Sequence, residues 1–199
     1  ATRALLERDD VIIVASVLFF FDVDYERYFA GAKFIHFMLG PATVALAVPI
    51  YKKWHLIVEN GRAIFFAVIL GSMFAVMTTY GMAIAFDFDR QVILSLLPRS
   101  VTAPISMGIS EVIGGIPSLT AIITIITGII GATFGTFVLD LLQIKQMSAR
   151  GFGVGLGSHG IGTARAMSRN AEAGVFSAVA MGLSGIVTSL IMPLLVHYI

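Results

Sequence analysis

Residues 151–169, GFGVGLGSHGIGTARAMSR, pose the problem that decides the fold. Half of the first dozen are glycine, which loosens a helix, and His159, Arg165 and Arg169 sit in or just after them. The surrounding chain is very apolar. Its 199 residues are 57% hydrophobic and 13% charged, with mean hydropathy +0.93, where soluble domains carry about a quarter charged residues. Residues 63–86, 112–139 and 173–196 contain no Asp, Glu, Lys or Arg. A helix needs roughly 20 mostly apolar residues to cross about 30 Å of hydrocarbon. Three such runs indicate an all-α, polytopic integral membrane protein.

The remaining segments bring the number of membrane segments to about seven, in one domain spanning 1–199. Residues 11–21 (VIIVASVLFFF) are apolar but too short to cross alone. Residues 34–51 carry Pro41 and Pro49, residues 91–113 are broken at Pro98 and Pro104, and 151–168 are rich in glycine. Backbone groups freed by such breaks cost several kcal/mol each in lipid, so protein or a water-filled cavity must surround them. Discontinuous helices of this kind aim half-helix N-termini at a midplane site for an anionic substrate, which makes transport the first function to test. GPATVALA (40–47) and GIGTARAM (160–167) suggest two structural repeats. They are inverted or not according to whether the broken segments re-enter or cross.

The long helices carry small residues at helical spacing, which let helices approach closely in lipid. The stripes are Ala67, Gly71, Ala75 and Thr79; Thr120, Thr124, Thr127, Gly131 and Gly135; and Ala178, Gly182, Gly185 and Ser189. Tight packing is the first reading of all three, and a lining role for the threonines the second.

Several functions drop out. A net charge of +1 offers no basic field for nucleic acid. Cysteine is absent, which removes thiolate metal sites and cysteine catalysis; no metal or cofactor is expected. GLGSHG (155–160) fits the dinucleotide fingerprint, but a polar turn precedes it where a strand is required, and Glu172 follows too soon. GLSG (182–185) resembles the motif of intramembrane serine proteases. His197 would then lie about 20 Å along the same helix, out of reach of the serine. We expect no enzyme.

The positive reading of 151–169 is an anion receptor. Glycines expose backbone N–H groups, and Ser158, His159, Thr163 and Arg165 converge nearby, a donor set suited to a carboxylate. Arg165 has an alternative, snorkelling to the interface. His159 reads equally as a neutral hydrogen-bond partner, a substrate ligand or a proton carrier. Arg99 and Glu111 flank SVTAPISMGIS. They form an ion pair or stand at the two ends of one span, and Glu111 is either a buried, proton-titrating group or an interfacial carboxylate.

As a set, HFMLGPATVALAVPIYKK, LLPRSVTAPISMGISEVIGGIPSLTA, ITGIIGATFG and ARGFGVGLGSHGIGTARAM resemble the LrgB/CidB family. That family includes bacterial antiholin-like membrane proteins and the plastid glycolate/glycerate translocator. The resemblance implies substrate-binding positions at Pro41 and Thr43, at Ser100 and Thr102 beside Pro104, and at Ser158, His159, Gly160, Thr163 and Arg165. Members usually carry a full hydrophobic helix ahead of the position of residue 1, so a first family helix is expected to be missing here. Two functions are implied. One is transport of small monocarboxylates of the pyruvate, glycolate and glycerate class; on the reading of the residues, coupling is to protons through Glu111 or His159, or is absent. The other is holin- or antiholin-like control of murein hydrolases and lysis. Implied with them are a small carboxylate substrate, a small LrgA/CidA-type membrane partner, a homo-oligomer, and residence in the bacterial inner membrane, or the plastid inner envelope for a plant relative. The turn at 52–62, with Lys52, Lys53 and Arg62, is the cytoplasmic candidate.

Overall fold

The computed structural model describes residues 51–196, which contain helices and no strand. The expectations for 11–21, for Pro41 and Thr43, and for the repeat copy at 40–47 lie outside the described residues. In chain order the helices are α1 (Trp54–Glu59), α2 (Gly61–Ala85), α3 (Arg90–Leu96), α4 (Ala103–Ile113), α5 (Pro117–Leu141), α6 (Met147–Arg169) and α7 (Ala171–Leu195). Three of them, α2, α5 and α7, have 25 residues each and are long and apolar enough to cross a membrane. They answer to the three charge-free runs. The second starts at 117 because Gly114 takes φ 87° and ends α4, after which Pro117 opens α5, a position where its missing N–H costs nothing.

The glycine-rich stretch is helical on both sides of one break, and the break is at a histidine. His159 holds φ 38° and ψ −129° inside α6. A straight helix would separate Val154 and Gly162 by about 12 Å. Instead, a Cβ placed on Gly162 would fall 2.8 Å from the Val154 side chain. The chain therefore folds back at His159, giving two arms, 147–158 and 160–169. Both arms lie on the start of α7. A Cβ on Gly151 or Gly155 would strike the backbone carbonyl of Ala173 or Ser177, and one on Gly174 would come 2.6 Å from the Met167 Cα. Asn170 joins the second arm to α7 and caps it, its Oδ1 accepting from the Ala173 amide at 3.0 Å. Thus 151–168 re-enters.

Residues 90–113 do the same from the other end. Ser95 of α3 accepts from the Ile116 amide through its hydroxyl at 2.7 Å, and its carbonyl accepts from Thr120 Oγ1 at 2.8 Å. Antiparallel to α5, α4 pairs Ser110 with Thr120 (2.7 Å) and Ser106 with Thr124 (3.0 Å). The hairpin α3–α4 has its base at the start of α5. The α6 hairpin has its base at the end of α5, where Arg150 bonds the Ile144 carbonyl and pairs with Asp140, both at 2.7 Å. Each hairpin is followed by a span, so residues 90–141 and 147–195 form two inverted units, a different pairing from the one suggested by 40–47 and 160–167.

Two apolar clusters hold the assembly. One joins Val76 and Ala83 of α2, Ile93 and Leu94 of α3, Ile109 of α4 and Met192 of α7. The other joins Ile64 and Val68 of α2, Phe152 of α6, and Phe176 and Ala180 of α7. Two expected small-residue stripes pack in part. On α7, Ala178 and Gly185 are buried while Gly182 and Ser189 are exposed, and contact with α6 runs through Ala173, Gly174 and Ser177. On α2, Thr79 is buried and a Cβ on Gly71 would lie 2.9 Å from Leu156 of α6, but the buried line is Ile64, Val68, Ser72, Val76, Thr79 and Ala83.

Candidate functional site

The two hairpin tips come to neighbouring turns of α5. Its residue Thr127 lies ten positions into the helix, about 15 Å from its start, and so at mid-depth. On one side is the α6 tip. His159 Nε2 donates to the Thr124 carbonyl at 2.9 Å; a carbonyl only accepts, so this nitrogen carries a proton. Room for the ring comes from Gly128, where a Cβ would lie 2.6 Å from His159 Cε1, and room for the adjoining Ser158 from Gly131, where one would strike Ser158 Oγ. Below the tip, Thr163 Oγ1 donates to the His159 carbonyl at 2.7 Å. With its one proton committed, that hydroxyl accepts from Ser177 Oγ at 2.9 Å.

On the other side is the α3–α4 tip, residues 97–102. Arg99 is half-buried there. Its Nε donates to Thr79 Oγ1 of α2 at 3.1 Å and its Nη1 to Thr127 Oγ1 of α5 at 3.4 Å. Both partners are neutral hydroxyls. Among the described residues the ion pair present is Arg150–Asp140, so no described carboxylate neutralises Arg99. Each tip also starts a helix, α4 at Ala103 and the second α6 arm at Gly160, and Thr102 at the start of α4 makes no side-chain cap. Unsatisfied amides at such starts carry partial positive charge. Each tip also holds the C-terminal end of the preceding half-helix, whose carbonyls carry the opposite partial charge, so Arg99 is the formal charge at the centre among the described groups.

The residues expected from sequence divide clearly. Ser158, His159 and Thr163 are buried together at 3%, 4% and 1% exposure. Gly160 is the exposed first residue of the returning arm, and Ser100 and Thr102 are half-buried beside Arg99. Arg165 is exposed partway down the second arm, and Glu111 is exposed near the end of α4, far along it from Arg99. An Arg99–Glu111 pair does not form. Pro41 and Thr43 lie outside the described residues. Sequence reasoning read Arg99 only as half of an ion pair or the end of a span, although its place as a lone cation at a proline break in an apolar run was visible. Threonines 79, 124 and 127 serve the tips by hydrogen bonding as well as by packing. Two cavities of about 260 and 330 Å³ open at the base of the α6 hairpin. One is lined by Leu139, Arg150, Val154 and Arg169, the other by Asn60, Ala67, Ser148 and Phe152.

Similarity to known proteins runs through most of the chain. A model described as the LrgB-like family matches residues 10–198. The protein YxaC of Bacillus subtilis (strain 168) is 37% identical over 185 residues, covering 93% of this chain and 80% of YxaC. A protein named "Holin-like protein CidB" from Staphylococcus aureus (strain Mu50 / ATCC 700699) is 34% identical over 180 residues, covering 90% of this chain and 79% of CidB. No solved structure matches the chain.

Proposed function

The chain belongs to the LrgB-like family, and from that membership and the meeting of its two hairpin tips we propose that it is a transporter of small monocarboxylates. The observation that carries this reading is the pair of oppositely directed re-entrant hairpins whose tips share one region of α5. Half-helix starts, Ser100, Thr102 and the buried Ser158, His159 and Thr163 lie at those tips and supply donors for a carboxylate and a neighbouring hydroxyl or keto group. Pro41 and Thr43 belong to the same proposed site by family resemblance. Broken helices at mid-depth suit a moving hairpin that admits a ligand from one side at a time. Proton coupling is assigned to His159, whose second ring nitrogen stays available once Nε2 bonds Thr124. Glu111, exposed on α4, is the weaker candidate, and Arg165 enters the site only if the second arm moves.

The competing reading is a holin-like regulator of lysis that acts by assembly, and the name of the holin-like CidB relatives favours it. Both readings place the chain in the bacterial inner membrane, and both allow a homo-oligomer and a small LrgA/CidA-type partner. Purified protein in liposomes separates them. Selective uptake of labelled pyruvate or glycolate without release of trapped carboxyfluorescein supports transport. Release of the dye supports a lesion-forming assembly and removes the first reading.

A further inference from the structure

We propose that Arg99, at the tip of the α3–α4 hairpin, is the charge that meets the substrate's carboxylate and sets selectivity for anions. The proposal rests on the transporter reading above and names the group on which that reading's specificity turns. A guanidinium at membrane depth is expensive, and such groups are paired or functional. Arg99 sits at mid-depth by its contact with Thr127, on a linker between two half-helices. Its described anchors, the hydroxyls of Thr79 and Thr127, orient the planar group without cancelling its charge. Of the five N–H donors a guanidinium carries, these anchors use two. The remaining donors form a rigid fork of the shape that grips a carboxylate through two bonds. Arg165, the cation expected from sequence, is exposed on the second arm of α6 and lacks comparable described anchors.

The test is uptake into liposomes containing the full chain, comparing labelled glycolate with its neutral analogue glycolamide. Wild type is expected to take up glycolate and exclude glycolamide. Arg99→Gln is expected to lose glycolate uptake about tenfold or more and to narrow the gap between the two compounds, whereas Arg90→Gln, exposed at the base of the same hairpin, stays within about twofold of wild type. A purely structural role for Arg99 would not shift the anion-to-neutral ratio. Should Arg99→Gln fail to insert, Arg99→Lys and Thr127→Val take its place. The first keeps the charge but loses the fork, the second loosens one anchor, and each is expected to raise KM for glycolate several-fold. An unchanged KM in both, an unchanged ratio in Arg99→Gln, or loss in Arg165→Gln alone would overturn the assignment to Arg99 and leave transport standing. Absence of glycolate and pyruvate flux in wild type would instead remove the transporter reading, and this assignment with it.

Discussion

His159 occupies φ 38° and ψ −129°, a region that side chains with a Cβ adopt only under constraint, at roughly 1–3 kcal/mol. The constraint is visible in its bonds: the ring to Thr124 and the carbonyl to Thr163. Replacing His159 by Ala or Gly removes the ring bond in both cases, but only glycine relaxes the backbone. We expect His159→Gly to exceed His159→Ala in stability by about 1 kcal/mol in denaturant unfolding of detergent-solubilised protein; equal stability would show that the turn is not strained. Thr120 offers a second test. It is fully buried, and its hydroxyl serves the Ser95 carbonyl and Ser110 across both arms of the first hairpin. Thr120→Val should cost about 1–3 kcal/mol because buried polar atoms lose their partner. Thr133→Val, on the exposed side of the same helix, should stay within about 0.5 kcal/mol.

Among the elements, the contact between the α6 hairpin and α7 is the closest in the fold. Glycines 151 and 155, one turn apart, bring the first arm onto the α7 backbone itself. Apolar burial drives little association between helices in lipid, so close approach of small residues carries the contact. A methyl at either glycine meets a carbonyl that cannot rotate aside. Gly155→Ala should therefore lower stability by about 1–3 kcal/mol and reduce the yield of monodisperse protein. Gly157 has open space at its Cβ, and Gly157→Ala is the matched control, expected to behave as wild type. If both alanines purify alike, the arm does not rest on α7 as described.

Across the whole molecule, the re-entrant geometry places the chain's turns on defined ends. The α2–α3 turn and the end of α4 share one end, while the α5–α6 turn, the base of the second hairpin and the start of α2 share the other. The chain has no native cysteine, so single cysteines report sides directly. Asp87→Cys and Glu111→Cys should react with an impermeant maleimide from one side, and Gln143→Cys and Ser168→Cys from the opposite side. Labelling of positions 143 and 168 from opposite sides would mean that α6 crosses. Charge gives the orientation. Lys52, Lys53, Arg62, Lys145, Arg150 and Arg169 gather at the end that holds the α6 base, against Arg90 near Asp87 and Asp89 at the other. From that excess among the described residues we expect the α6 base to face the cytoplasm, so Gln143→Cys and Ser168→Cys should label from the cytoplasmic side.

The sequence alone determined what depends on neighbouring residues along the chain. Charge-free runs marked α2, α5 and α7, prolines and glycines marked the two broken segments among the described residues, and four motifs marked the family, because hydropathy and backbone freedom are local properties. It also brought Ser158, His159 and Thr163 into one candidate site, since they lie within a few residues of each other. Whether a broken segment crosses or turns back was decided only in three dimensions. The break at His159 depends on a carbonyl 35 residues earlier, and the glycines that make room for it sit on α5. Arg99 gained its place at the centre the same way, from hydroxyls 20 and 28 residues away on two other helices. Spacing along one chain carries no record of such meetings, because packing selects partners by where helices lie and not by where they fall in order.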